Sequence, residues 1–152
     1  MRKHTSPRAQ GALIVGLLLT PLFAATGCNR GPEMTAIEGQ VLFDGKPLTF
    51  GSVVFQHRQG GQPARAEIQP DGSFVLSTFS AEDGARLGPN RVRVLCYATQ
   101  DPKVVQSGPR GDALGPSLIP VKYTKAATSG IVIEVEKGME LPVVIELTSG
   151  KK

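Results

Sequence analysis

The sequence predicts an all-β domain of about seven strands, and three observations lead to this prediction. From Ala36 onward, apolar residues recur at every second position, which is the pattern of strands with one buried face. Asp-Gly pairs lie between the alternating segments, where hairpin turns are expected. Glycine (18) and proline (12) are frequent, aromatic residues make up only 5%, and no stretch has the length and period of an amphipathic helix. These features favour two packed antiparallel sheets over parallel βαβ units.

The predicted strands share one phase along the chain. In the first strand, residues 36–43, Ile37 and Val41 lie on one face and Glu38 on the other. The same alternation appears in six further segments, residues 51–57, 64–69, 73–78, 90–97, 130–136 and 141–147. It predicts one core between two sheets, and the expected members are Phe43, Phe55, Phe74, Leu76, Val94, Ile133 and Ile145.

Turn-forming residues separate these strands. The Asp-Gly pairs at residues 44–45 and 71–72 are predicted hairpin turns, because glycine accepts the positive φ that such turns require. We expect the Lys-Gly pair at 137–138 to close the last hairpin. Residues 80–88 allow one short helical turn at most. Residues 98–120 lack alternation and are rich in Gly, Pro and Ser, so we expect a long mobile loop, either a binding segment or a dispensable one.

A series of short motifs resembles one family of bacterial proteins. In chain order they are Gly39-Gln40-Val41, Asp44-Gly45-Lys46-Pro47-Leu48, Gly51-Ser52-Val53-Val54-Phe55, Asp71-Gly72-Ser73-Phe74, Asp83-Gly84-Ala85, Ile119-Pro120-Val121-Lys122-Tyr123 and Thr128-Ser129-Gly130-Ile131. Their order and spacing are similar to those of small bacterial lipoproteins with a carboxypeptidase-regulatory-like, or transthyretin-like, domain. This resemblance implies a single antiparallel Greek-key β-sandwich over residues 36–148, and a structural or binding module rather than an enzyme.

Residues 1–27 have the features of a secretory signal peptide. Residues 1–10 are polar and basic, and residues 12–20 are almost wholly apolar before Pro21. The apolar stretch reaches no further than Ala25, about 14 residues, whereas a helix that spans a bilayer needs about 20. We therefore expect a cleaved signal rather than a permanent membrane span.

The leader ends in Ala25-Thr26-Gly27-Cys28, which resembles the lipobox of bacterial lipoproteins, with Ala25 in a place that usually holds leucine. The resemblance implies a diacylglyceryl group on the sulfur of Cys28 and cleavage between Gly27 and Cys28. An ordinary secretory cut at the same bond is the alternative, because Ala25 and Gly27 also satisfy the small-x-small rule. Two or more acyl chains, such as palmitate, would hold the protein on a membrane, with residues 28–35 as a lipidated tether.

The formal charge of +4 does not indicate a nucleic-acid partner. Arg2, Lys3 and Arg8 lie in the leader, so the chain after residue 27 has 14 basic and 13 acidic residues. The basic residues of that part are scattered, whereas a surface that binds a polyanion clusters them. We therefore exclude nucleic-acid binding.

No catalytic or metal-binding motif is recognisable in the sequence, so we expect neither a cofactor nor an enzymatic activity. The chain after the leader has one histidine, His57, for which we expect a solvated position at a strand end rather than a role as ligand or base. Asp44, Asp71 and Asp83 each precede a glycine. Because the alternating oxygen ligands and closing glutamate of a calcium loop are missing, we expect these aspartates to form turns.

The strand at residues 90–97 carries a cysteine and two arginines of interest. Cys96 is in phase with Val94, so we expect a buried, unreactive thiol. If Cys28 carries lipid on its sulfur, Cys96 has no disulfide partner within the chain. Arg91 and Arg93 alternate outward and could contact an acidic or sugar partner, with a solvated sheet face as the alternative.

Two functional hypotheses remain. The first is a non-enzymatic, lipid-anchored domain of the cell envelope, facing the periplasm or the exterior, that binds an envelope protein, peptidoglycan or polysaccharide or adds to an outer layer. The second is an accessory module or weak hydrolase acting on envelope polymers through carboxylates. Glu134 and Glu136 share one strand face, which an exposed surface explains better than acid and base chemistry. The second hypothesis requires two carboxylates about 5 to 9 Å apart in a cleft.

Overall fold

The computed structural model describes residues 31–105 and 115–150, and strands dominate this part of the chain. Its strands are β1 (Met34–Thr35), β2 (Glu38–Phe43), β3 (Lys46–Pro47), β4 (Ser52–His57), β5 (Ala64–Glu67), β6 (Ser73–Val75), β7 (Ala85–Arg86), β8 (Gly88–Leu95), β9 (Ile131–Val135) and β10 (Val143–Leu147). Its helical elements are α1 (Pro102–Val105) and two 3₁₀ turns, Ala98–Gln100 and Val121–Thr124. The all-β prediction is confirmed, and all seven predicted strands are present with ends shifted by at most three residues.

The first of two four-stranded sheets has the strand order β5-β4-β8-β9, and all its pairings are antiparallel. Val54 of β4 lies opposite Arg65 of β5 on one side and Arg93 of β8 on the other. Ser52 lies two residues earlier, opposite Glu67 and Leu95. Residues directly opposite each other point to the same face of a sheet, so these two rows share one surface.

The second four-stranded sheet is built around β2, which pairs with β3, β6 and β10. β3 and β6 are antiparallel to β2, whereas β10 is parallel to it, with Val143 opposite Gly39. This parallel pair departs from the purely antiparallel prediction, because alternation along a strand does not specify the direction of its partner. Gly39 permits the close approach, since a Cβ there would collide with the Phe74 ring and the Val143 carbonyl.

One hydrophobic core receives side chains from both four-stranded sheets. Five of the seven predicted core residues are fully buried in it: Phe55, Phe74, Leu76, Val94 and Ile145. The other two, Phe43 and Ile133, are partly buried and pack against it. The period-two alternation therefore identified the buried face of each strand correctly.

Both predicted Asp-Gly turns are present. Asp44 and Gly45 have φ angles of 49° and 76° and connect β2 to β3, which are the positive values that a primed two-residue turn requires. The second turn lies between β5 and β6, where the N–H of Gly72 donates to the carbonyl of Gln69 at 2.8 Å. Gly72 has φ 83°, so this position also favours glycine.

The structure differs from the expectations drawn from the sequence at three places in the chain. The Lys-Gly pair at 137–138 does not close a hairpin, because β9 pairs with β8 while β10 pairs with β2 in the other sheet. Residues 80–88 contain no helix, and Ala85–Arg86 instead form a two-stranded sheet with Met34–Thr35. The tether predicted at 28–35 is therefore too long at its end, since its last two residues belong to a strand.

The predicted loop at residues 98–120 is partly regular where the structure describes it. It includes α1 and the 3₁₀ turn Ala98–Gln100, and Ser117 forms a bridge with Tyr97. Ile119 is buried in the core. The ends of this segment are thus integral to the domain, because they bury apolar surface and satisfy backbone hydrogen bonds. Residues 106–114 lie outside the described residues.

Candidate functional site

The outer face of the first sheet, turned away from the core, carries the candidate site. Along β4 the alternation places Val53, Phe55 and His57 toward the core, so Ser52 and Val54 face outward. A groove of about 320 Å³ lies over these two residues. Its volume is at the lower end of the range for small-ligand sites.

Two arginines flank the floor of this groove. Arg65 of β5 and Arg93 of β8 are the two cross-strand neighbours of Val54, and both side chains line the groove. Val54 is only 3% exposed although it faces away from the core. The flanking side chains therefore cover this valine, which fits the tendency of arginine stems to lie along apolar surface.

The Arg93 guanidinium is incompletely satisfied. Its Nε is buried and has no hydrogen-bond partner. Within residues 31–105 and 115–150, neither Arg93 nor Arg65 forms an ion pair within 4.0 Å. Arg65 is exposed and Arg93 is half-buried, so this face of the sheet presents guanidinium N–H donors that no carboxylate of the described residues pairs with.

A second row of residues closes one end of the groove. Ser52 lies between Glu67 of β5 and Leu95 of β8, and all three line the groove. This end therefore offers a carboxylate and a hydroxyl beside an apolar side chain. Arg91 lies on the same face beyond the other end, where it is exposed and pairs with Gln56 and Val132 in the register.

The sequence points to Arg91 and Arg93 as outward-facing residues, whereas Arg65 and Glu67 enter the groove only in the structure. The signal was present in the strand at 64–69, because Ala64, Ala66 and Ile68 are apolar and the charged residues alternate with them. What the sequence could not provide is the strand order, which places β5 beside β4 and so brings Arg65 to the same groove as Arg93.

The expectation that His57 is solvated is wrong, because only 6% of the residue is exposed. It is in phase with Val53 and Phe55 on the core side of β4 and lies opposite the buried Asn90. Its Nδ1 accepts a hydrogen bond from the N–H of Gln59 at 3.2 Å. His57 therefore supports the end of its strand, and the polar character of the residue concealed its buried position.

The aspartates that precede glycines have structural roles, as expected. Asp71 accepts hydrogen bonds from the hydroxyl of Ser73 at 2.6 Å and from its N–H at 2.9 Å. These two bonds, the hydroxyl's first, lower the pKa of Asp71. Asp83 accepts from the N–H groups of Thr78 at 2.6 Å and Phe79 at 2.9 Å. Those bonds, led by that from Thr78, likewise lower its pKa. Both carboxylates stabilise their own loops.

The other residues singled out in the sequence have separate locations. Glu134 and Glu136 are exposed, at and just after the end of β9. Cys96 is a buried free thiol, and burial followed by the nearby charge of Asp101 raises its pKa to about 11. The predicted burial of this thiol is confirmed, and the raised pKa disfavours the reactive thiolate at neutral pH. The cleavage and lipidation residues Gly27 and Cys28 lie outside the described residues.

The described residues contain neither a candidate metal site nor a candidate membrane-spanning helix. Within the described part of the chain, no group of three or more His, Cys, Asp or Glu side chains is arranged to hold a metal ion. No helix of residues 31–105 and 115–150 has the length and apolar character that crossing a membrane requires.

Comparison with known proteins identifies no relative of this chain. No protein-family model matches it. Neither the curated proteins nor the solved structures contain a significant match.

Proposed function

We propose that this protein is a non-enzymatic lipoprotein of the bacterial cell envelope, held on a membrane by lipid on Cys28. Its β domain is a transthyretin-like Greek-key sandwich that serves as a binding or structural module facing the periplasm or the exterior. The observation that carries this proposal is the leader, in which a basic segment, an apolar segment, small residues and Cys28 follow in order.

The position of the β domain supports this proposal. The first strand begins at Met34, six residues after Cys28, so the folded domain would start close to the anchored end of the chain. Two or more acyl chains, with about 0.8 kcal/mol for each buried methylene group, are enough for stable attachment. A short connection would then hold the domain near the membrane surface.

The outer face of the first sheet supports a binding role. Arg65 and Arg93 form no ion pair within the described residues, and they flank a groove with an apolar floor at Val54. By contrast, Asp71 and Asp83 use their carboxylates to hold their own loops. A module that recognises a ligand through arginines is therefore better supported than a hydrolase that works through carboxylates.

Cell fractionation of two cysteine variants tests the anchor. We expect the protein, expressed in a bacterium that processes lipoproteins, to sediment with membranes and to require detergent for release. Cys28→Ser should move it to the soluble fraction, because the sulfur that would carry the lipid is gone. Cys96→Ala is the matched control and should stay with the membranes. Release of the unaltered protein without detergent, or retention of Cys28→Ser on membranes, would contradict the proposal.

A further inference from the structure

The groove over Val54 brings two arginines to one surface of the sheet. Its two arginines come from strands on either side of β4, and neighbouring strands are about 4.8 Å apart. Their Cα atoms are therefore separated by about 10 Å, which two arginine side chains can span toward each other. The groove lies between them, and the buried Nε of Arg93 lacks an acceptor.

We propose that Arg65 and Arg93 bind the oxyanion of an acidic saccharide, a sugar unit that carries one carboxylate or phosphate group. The proposal rests on the proposed envelope function, for which it names the ligand class. A guanidinium presents several N–H donors in one plane, and an oxyanion is the acceptor that matches this geometry best. An oxyanion in the groove could accept hydrogen bonds from the terminal N–H groups of Arg93, which lines it, and the guanidinium of Arg65 would add charge on the opposite side.

The other end of the groove indicates that the ligand is hydroxylated rather than a simple anion. Glu67 lies two residues beyond Arg65, beside Ser52. A second negative group at that end would be repelled by the Glu67 carboxylate, whereas a sugar hydroxyl can donate a hydrogen bond to it. Leu95, which is half-buried, supplies apolar surface on which the C–H face of a sugar ring can pack.

The position of Arg91 indicates that the positive charge relevant to binding is confined to the groove. Arg91 lies on the same strand and the same face as Arg93, but it is exposed and does not line the groove. The chain after the leader has nearly balanced charge, with 14 basic and 13 acidic residues. Binding should therefore depend on the two groove arginines and not on the positive charge of the sheet in general.

Binding measurements on the full chain in non-ionic detergent test the proposal. The probes are a polygalacturonate oligomer, which carries carboxylates, a poly(glycerol phosphate) oligomer, which carries phosphates, and neutral dextran. Isothermal titration calorimetry should detect binding to at least one acidic probe and none to dextran. The preferred acidic probe identifies the source of the oxyanion.

Four arginine variants distinguish binding in the groove from attraction by the positive charge of the sheet in general. Arg93→Gln and Arg65→Gln should each weaken binding of the preferred probe by about tenfold or more, because each removes charged donors. Arg91→Gln is the matched control and should change binding by no more than about twofold. Arg93→Lys keeps the charge but lacks Nε, so it should also bind more weakly than the unaltered protein.

The results of the binding measurements either support or contradict the proposal. Absence of binding to both acidic probes, or equal losses from Arg91→Gln and Arg93→Gln, would overturn the proposal. Urea unfolding of each variant checks that the domain remains folded. If Arg93→Gln does not fold, the exposed Arg65→Gln decides the question alone. The assay does not depend on the lipid, so failure of the groove proposal is distinguishable from failure of the anchor, which fractionation of Cys28→Ser reports.

Discussion

The rings of Phe55 and Phe74 lie in contact, with centroids 6.3 Å apart and planes tilted by 52°. Phe55 belongs to β4 in the first sheet and Phe74 to β6 in the second. Tilted aromatic pairs at this distance are favourable beyond the area that they bury. This contact therefore joins the inner faces of the two sheets at the centre of the core.

Phe74→Ala should lower the free energy of unfolding by about 3 to 5 kcal/mol, because it removes a fully buried ring and leaves a cavity. Urea unfolding followed by circular dichroism measures this loss. Val75→Ala is the matched control, since Val75 is the next residue and is 44% exposed. It should change stability by less than about 1 kcal/mol. A similarly small loss from Phe74→Ala would mean that the two sheets do not share this core.

The thiol of Cys96 should not react with Ellman's reagent in the folded protein. Its side chain is 1% exposed, and burial raises its pKa to about 11, so almost no thiolate is present near neutral pH. In urea, one thiol per chain should react if the proposed lipid occupies the sulfur of Cys28, since Cys96 is then the one free thiol that the sequence provides. Rapid reaction of the folded protein would show that Cys96 is accessible.

Asp83→Asn should lower stability at neutral pH, because an amide cannot accept all the hydrogen bonds that Asp83 receives from Thr78 and Phe79. The pKa of Asp83 is lowered from 3.8 in the folded state. Its contribution is therefore present above pH 3.8 and is lost as the pH falls through the lowered value.

Urea midpoints measured from neutral pH to well below pH 3.8 check this prediction. The difference between the unaltered protein and Asp83→Asn should narrow as the pH falls. Glu82→Gln changes the charge of the adjacent exposed residue and serves as the control, with no comparable narrowing. A difference that stays constant over the whole range would show that ionisation of Asp83 does not stabilise the loop.

Removal of residues 106–114 should leave the domain folded when Val105 and Gly115 are joined by a short Gly-Ser linker. The flanking segments carry their own contacts: the N–H of Ala98 donates to the carbonyl of Pro116 at 3.1 Å, and Ile119 is buried. Ile119→Ala should instead cost about 2 to 5 kcal/mol. Thermal unfolding compares the two variants, and unfolding caused by the deletion would mean that residues 106–114 are structural.

The sequence predicted the strands well because each strand has one face in the core. Because burial of one face produces period-two alternation, this pattern assigns Phe74, Val94 and Ile145 to the core, where the structure has them. His57 follows the same alternation but was expected in solvent on account of its polarity. Whether the residue at the end of a strand is buried depends on its neighbours in other strands. The neighbour of His57 is Asn90 of β8, and the sequence around His57 does not reveal this pairing.

The pairing of strands could not be predicted from the sequence. Nothing in residues 141–147 indicates that β10 runs parallel to β2 in a sheet that excludes β9. The same limitation applies to the candidate groove, because Arg65 and Arg93 are 28 positions apart and meet only through their common neighbour Val54. The alternation of residues 90–97 indicates that Arg93 faces outward. Only the strand order shows that Arg65 lies beside the same groove.

Mass spectrometry of the mature N-terminal peptide shows directly whether Cys28 carries lipid. The protein should be isolated from bacterial membranes, digested and analysed for the peptide that contains Cys28. We expect a chain that begins at Cys28 and carries the mass of a diacylglyceryl group on its sulfur. A chain that begins at Cys28 with an unmodified thiol, or one that retains the residues before it, would contradict the lipid anchor.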